Sequence, residues 1–175
     1  MLTRVLVLAV LTMGLTMGLA LSAASEKPAK LPPALIGKWG FAVATGDYCG
    51  PNLSNCAPGS GGGVSLVLKE DGGAELEVFE SALVDGCGSI RTMTTQRGFA
   101  EVKGAKLIFR PASGAYSAVN GCRPDLTGVW RLPASDLKPI SVGWRLEPDP
   151  MSHARKLLRI SDPQGQISGD YSRRP

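Results

Sequence analysis

Only one histidine, His153, occurs in this chain of 175 residues, and that scarcity removes several chemistries at once. A histidine-based metal centre needs more ligands than this. A Ser-His-Asp triad lacks both a second candidate base and the Gly-x-Ser-x-Gly elbow that would present its nucleophile. Cys49-Gly50-Pro51-Asn52 has no second cysteine for a Cys-x-x-Cys redox pair. The run Gly59-Ser60-Gly61-Gly62-Gly63 is followed by a strand pattern and not by Lys-Ser or Lys-Thr opening a helix, so it is read as a surface loop and not as a phosphate cradle. Aromatics make up 6% of the chain and basic residues are scattered from Lys27 to Arg174, which leaves no basic patch interleaved with aromatics for nucleic acid. Glu75 and Glu77 alternate with Leu76 and Val78, the pattern of a solvated strand face. No catalytic residue, metal or cofactor is expected, and the chain is read as a non-enzyme. His153 is expected in a polar, solvent-exposed loop between Pro150 and Arg155.

What the sequence does have begins with an export signal. Arg4 precedes an uncharged apolar run from Val5 to Leu21, and Ser22-Ala23-Ala24 offers small residues at a cleavage site. The run only just reaches the length needed to cross a bilayer. Residues 1–24 are therefore expected to be removed, leaving no membrane span and a periplasmic or secreted protein. Loss of Arg4 lowers the net charge from +4 to +3. No cysteine follows the run, so a lipid-anchored terminus is not expected. Residues 25–34, with Pro28, Pro32 and Pro33, suit an extended arm.

Four cysteines in an exported chain are read as two disulfides. Three pairings are possible. Cys49 and Cys56 bracket a turn-rich loop, which favours Cys49–Cys56 together with Cys87–Cys122.

Residues 35–175 carry the folded domain. Trp39, Phe41 and Val43 alternate with Lys38, Gly40 and Ala42, as in a strand with one buried face. Val64, Leu66 and Leu68 alternate likewise, and Asp71-Gly72 then turns the chain into Ala74, Leu76 and Val78, a strong hairpin signal. Ser81 to Ser89 is read as a loop, and Ile90–Gln96 and Phe99–Val102 as two strand pieces. Lys103-Gly104 turns into Lys106–Arg110, which Pro111, Ser113 and Gly114 are expected to break before Ala115–Val119. Trp130 and Trp144 sit in similar settings, each sharing a face with a leucine, and Trp130 belongs to a strand or a loop. Leu158 and Ile160 alternate with Leu157 and Arg159, and a turn at Asp162-Pro163-Gln164-Gly165 leads to a last strand at Gly169-Asp170-Tyr171. No window after the leader has helical periodicity. The expected fold is all-β: one antiparallel barrel of about eight strands, whose closure removes exposed edges.

Gly37-Lys38-Trp39 resembles the Gly-x-Trp signature that opens the first strand of lipocalin and related calycin barrels. That resemblance implies a tryptophan packed across the closed end beneath an arginine from a late strand, Arg159 or Arg173, with Gly37, Trp39, Arg159 and Trp144 as structural residues. It implies a small apolar or amphipathic ligand, with no ligand-binding residue identified. The second lipocalin motif, Thr-Asp-Tyr, is missing. The order Gly37-Lys38-Trp39, Cys49, Val142-Gly143-Trp144-Arg145 also resembles the small periplasmic inhibitors of metalloproteases, which would make a protease the partner and residues 25–34 the inhibitory arm. The longer middle section and the extra cysteine pair depart from that pattern. A third expectation is an envelope interaction module without a pocket. A monomer is expected.

Overall fold

Apolar alternation becomes strand structure wherever the sequence has it. The computed structural model describes residues 30–44, 60–86 and 88–175. Within them lie nine strands: β1 (Gly37–Ala44), β2 (Gly61–Leu68), β3 (Gly73–Val84), β4 (Gly88–Lys103), β5 (Lys106–Asn120), β6 (Gly128–Arg131), β7 (Ile140–Asp149), β8 (Ser152–Ser161) and β9 (Gly169–Arg174). Short 3-10 turns occupy Pro33–Leu35, Pro124–Leu126 and Ala134–Asp136, and there is no α-helix among the described residues.

All pairings are antiparallel, and the order β4-β3-β2-β1-β9-β8-β7-β5 closes on itself through a β4–β5 pairing. The result is an antiparallel sheet closed into a ring of eight strands. The expected all-β, antiparallel architecture is met at that level. β6 stands outside the ring. β5 gives the edge opposite β4 to two partners, pairing Lys106–Phe109 with β7 and Ala115–Ala118 with β6.

Two expected breaks are absent. β5 runs unbroken through Pro111 because the register shifts there: Gly98 faces Pro111 while Arg97 faces Ser113, leaving Ala112 as the extra residue of a bulge. A bulge is a position where a strand accommodates proline, which cannot donate to the ladder. The same pairing makes β4 one strand of 16 residues in place of two pieces, and β3 extends to Val84 through the expected loop. Gly61, Gly62 and Gly63, read as loop, form the start of β2. A side chain at Gly63 would meet the Phe41 carbonyl at 3.0 Å, so the glycine permits a close strand approach. His153 falls in β8 and not in a loop.

Inward positions follow directly from register. Trp39 faces Leu66, Leu66 faces Leu76, and Leu107 faces Val142. With Leu68, Phe109, Leu158, Ile160 and Tyr171 they form one buried cluster. Leu31 and Leu35, at 3% and 0% exposure, join it from the segment before β1. The packed domain thus reaches back to Leu31, and the inner end of the expected free arm is anchored; residues 25–29 lie outside the described residues.

Tyr171 is fully buried and donates through its hydroxyl to the Ile167 carbonyl at 2.6 Å. Burial, and secondarily the nearby Asp162 carboxylate, raises its pKa well above the ordinary value. The folded state therefore holds this proton more tightly than the unfolded chain, whose phenol ionises near about 10. The contribution is complete below that pH and is lost as pH rises above it. Circular dichroism between pH 8 and 12 is expected to show a loss of stability setting in above about pH 10. Tyr171→Phe is expected to flatten that alkaline limb while lowering stability at pH 7 by about 1 kcal/mol for the missing hydrogen bond. An alkaline limb unchanged in the variant would assign it to another group.

Candidate functional site

The closed end is built around Trp39. Its indole N–H donates to the Leu35 carbonyl at 2.8 Å, and the Arg173 guanidinium lies 5.3 Å from the ring centroid. Arg173 also donates to the Ile36 carbonyl. Trp39 and Arg173 are directly opposite in the β1–β9 register, so both side chains take the same face. Arg159, the other candidate for this position, points elsewhere. It faces Asp170 across β8–β9 and binds that carboxylate at 2.5 and 2.7 Å, with Glu147 at 3.0 Å. The Arg159 hydrogen bonds hold the Asp170 carboxyl below its usual pKa. Gly37 has a φ of +136° and abuts the Arg173 side chain. Trp144 packs against the core from β7, and its buried Nε1 has no hydrogen-bond partner among the described residues.

The middle of the ring is filled. Leu66, Leu76, Leu107, Phe109, Val142 and Ile160 surround a residual cavity of about 20 Å³, room for one water and no more. Trp130, unlike Leu66 and Phe109, takes no part in this filling. It lies 5.9 Å from Tyr116 on the β5–β6 extension and is 47% exposed.

Space opens at the other end. A half-open cleft of about 750 Å³ is bounded by β3, β4, the segment leading into β7 and the β8–β9 turn. Leu76, Ile140 and Ile167 line both the cleft and the small cavity below it, and so form its floor. Around them stand Glu80, Thr94, Gln96, Asp136, Lys138 and Asp162. Gln96, at 9% exposure, is the one buried polar side chain among the described residues. It reaches the floor because it faces Leu76 across β3–β4, and its Nε2 donates to the Asp136 carbonyl at 3.3 Å. That bond ties the 134–136 turn over the mouth. The Asp162 carboxylate shapes the opposite wall by accepting the backbone N–H groups of Gln164, Gln166 and Ile167 at 2.9, 3.0 and 3.2 Å.

Nothing in the sequence marks any of these as a cleft residue. They come from separate segments, and the one available signal was a glutamine on the apolar parity of a Thr-rich strand. Among the described residues no three His, Cys, Asp or Glu side chains gather as metal ligands, and no helix is long and apolar enough to cross a membrane. Cys122 is not a free thiol; Cys49, Cys56 and Cys87 lie outside the described residues. In comparisons with family models, curated proteins and solved structures, no match to this chain was found.

Proposed function

We propose that the protein is an exported, non-enzymatic, lipocalin-like barrel that holds a small apolar or amphipathic ligand at its mouth. The observation that carries this reading is the half-open cleft of about 750 Å³ with an apolar floor of Leu76, Ile140 and Ile167. Its size and mixed lining suit a small organic ligand. The lipocalin likeness rests on Gly37-Lys38-Trp39 opening β1, on Trp39 lying beneath Arg173, and on the closed antiparallel ring. With only about 20 Å³ free in the interior, the ligand sits at the mouth and is not enclosed. Cleavage after Ala24 and a Cys87–Cys122 disulfide belong to the same reading. The Gly121 N–H donates to the Ser89 carbonyl at 2.9 Å, which brings the turn holding Cys122 beside the start of β4.

Fluorescence of the neutral probe 1-N-phenylnaphthylamine tests it. Enhancement is expected with the mature chain, saturating at one site. Thr94→Trp, which fills the cleft from β4 at a half-buried position, is expected to weaken probe binding at least about tenfold with an unchanged far-ultraviolet spectrum. Absence of saturable binding, or equal binding by the Trp variant, would remove the mouth as a ligand site.

A further inference from the structure

We infer that the mouth selects amphipathic ligands whose head is a cation bearing N–H donors, the class of a primary alkylamine; this rests on the cleft being a ligand site. Two independent observations point the same way. The first is the orientation of Gln96. A backbone carbonyl accepts only from an N–H, so the bond to the Asp136 carbonyl assigns Nε2 to that contact and leaves Oε1 for the other side. That oxygen accepts no hydrogen bond among the described residues and is not one of their fully buried unpaired atoms, so it is open to the water of the cleft that Gln96 lines. A ligand N–H can take the place of that water, whereas a head without a donor displaces it and leaves the acceptor unpaired.

The second is charge. Glu80, Asp136 and Asp162 line the cleft against one cation, Lys138. None of the four takes part in an ion pair among the described residues. The Asp162 oxygens are occupied by three backbone N–H groups, so Asp162 contributes potential and not contact. Glu80 and Asp136 are exposed at the rim, where a carboxylate can meet an ammonium without being desolvated first. Gln96 stands level with the apolar floor, because it faces Leu76, and its bond to the Asp136 carbonyl ties it to the turn at the rim. An ammonium can therefore meet Gln96 Oε1 within the negative potential of the rim while its alkyl chain covers Leu76, Ile140 and Ile167. A carboxylate head in the same place would meet an acceptor and two like charges.

Three ten-carbon ligands of equal chain length separate the possibilities: decylamine, decanol and decanoate, each titrated below its aggregation concentration at pH 7 by isothermal calorimetry. Decylamine is expected to bind about fivefold tighter than decanol and tighter still than decanoate. Glu80→Gln, at an exposed position, is expected to shrink the gap between amine and alcohol. Gln96→Leu is expected to weaken the amine more than the alcohol. Equal or tighter binding of decanoate would overturn the charge inference and leave the cleft reading standing. Failure of all three to bind would overturn the cleft reading itself.

Discussion

Trp39→Ala is expected to cost about 3–5 kcal/mol of stability, the range for removing a large aromatic from a packed core. The side chain is 2% exposed, so little of the resulting void can be filled by solvent or by a shifted surface group. Two further groups lose their partner with it: the Leu35 carbonyl accepts the indole N–H, and Arg173 lies over the ring. Because Leu35 is itself completely buried, its carbonyl would be left unsatisfied in the core. Urea unfolding is expected to show a midpoint lowered by roughly 2 M. Trp39→Phe keeps most of the ring area and loses the donor, and should fall between wild type and alanine. Arg159→Ala should cost less than about 1 kcal/mol, since the ion pairs of Arg159 are at the surface. A Trp39→Ala loss as small as that of Arg159→Ala would mean that the closed end is not where stability resides.

Gly98→Ala is the second large effect expected, and here no burial is lost. A Cβ at this position would sit 2.0 Å from the Arg110 carbonyl oxygen and 2.8 Å from both the Arg110 carbonyl carbon and the Pro111 Cα. All three obstacles are backbone, in the strand that carries the bulge, so relief requires moving β5 itself. Overpacking of this kind is expected to cost about 3 kcal/mol or more, seen as a thermal midpoint lowered by about 10 °C. Gly143→Ala is the matching control. Its Cβ would meet the Ser161 Cβ at an ordinary 3.6 Å, and stability should stay within about 0.5 kcal/mol of wild type. If the two variants behaved alike, the close approach of β4 to β5 at the bulge would be wrong.

How much of this could be read from residues alone divides along a physical line. Inward positions were legible because they depend on period two within one strand: Trp39, Leu66, Leu76, Leu158 and Ile160 all took the face their alternation indicated. The hairpin at Asp71-Gly72 was legible because turn chemistry is local; the Lys69 N–H donates to the Gly73 carbonyl and Asp71 caps the Gly73 N–H. Pro111 misled because its usual effect, a lost ladder bond, is absorbed by a bulge that only the partner strand defines. The choice between Arg159 and Arg173 could not be made, since it turns on which residue stands opposite Trp39, a fact of register between β1 and β9 that lie far apart in sequence. Trp130 and Trp144 had matching neighbours and different fates, because β6 pairs outside the ring and β7 within it. The cleft was least legible of all. Its floor and rim are assembled from β3, β4 and two connecting segments, so no stretch of sequence contains it.

The division of β5 between two partners has a mechanical consequence. A tube closed around its whole circumference resists torsion strongly, while the same tube with a lengthwise slit shears easily along the slit. Below Phe109 the sheet is the closed tube, with β5 joined to β7; above it β5 carries β6, which has no second neighbour among the described strands. By that comparison the upper strands of β3 to β6 offer less resistance to twisting than the filled lower ring. The cleft lies at the junction of the two, with Leu76 and Ile140 on the stiff side and Glu80 and Thr94 on the compliant one. A change in its width would load the upper strands before the buried residues around Trp39.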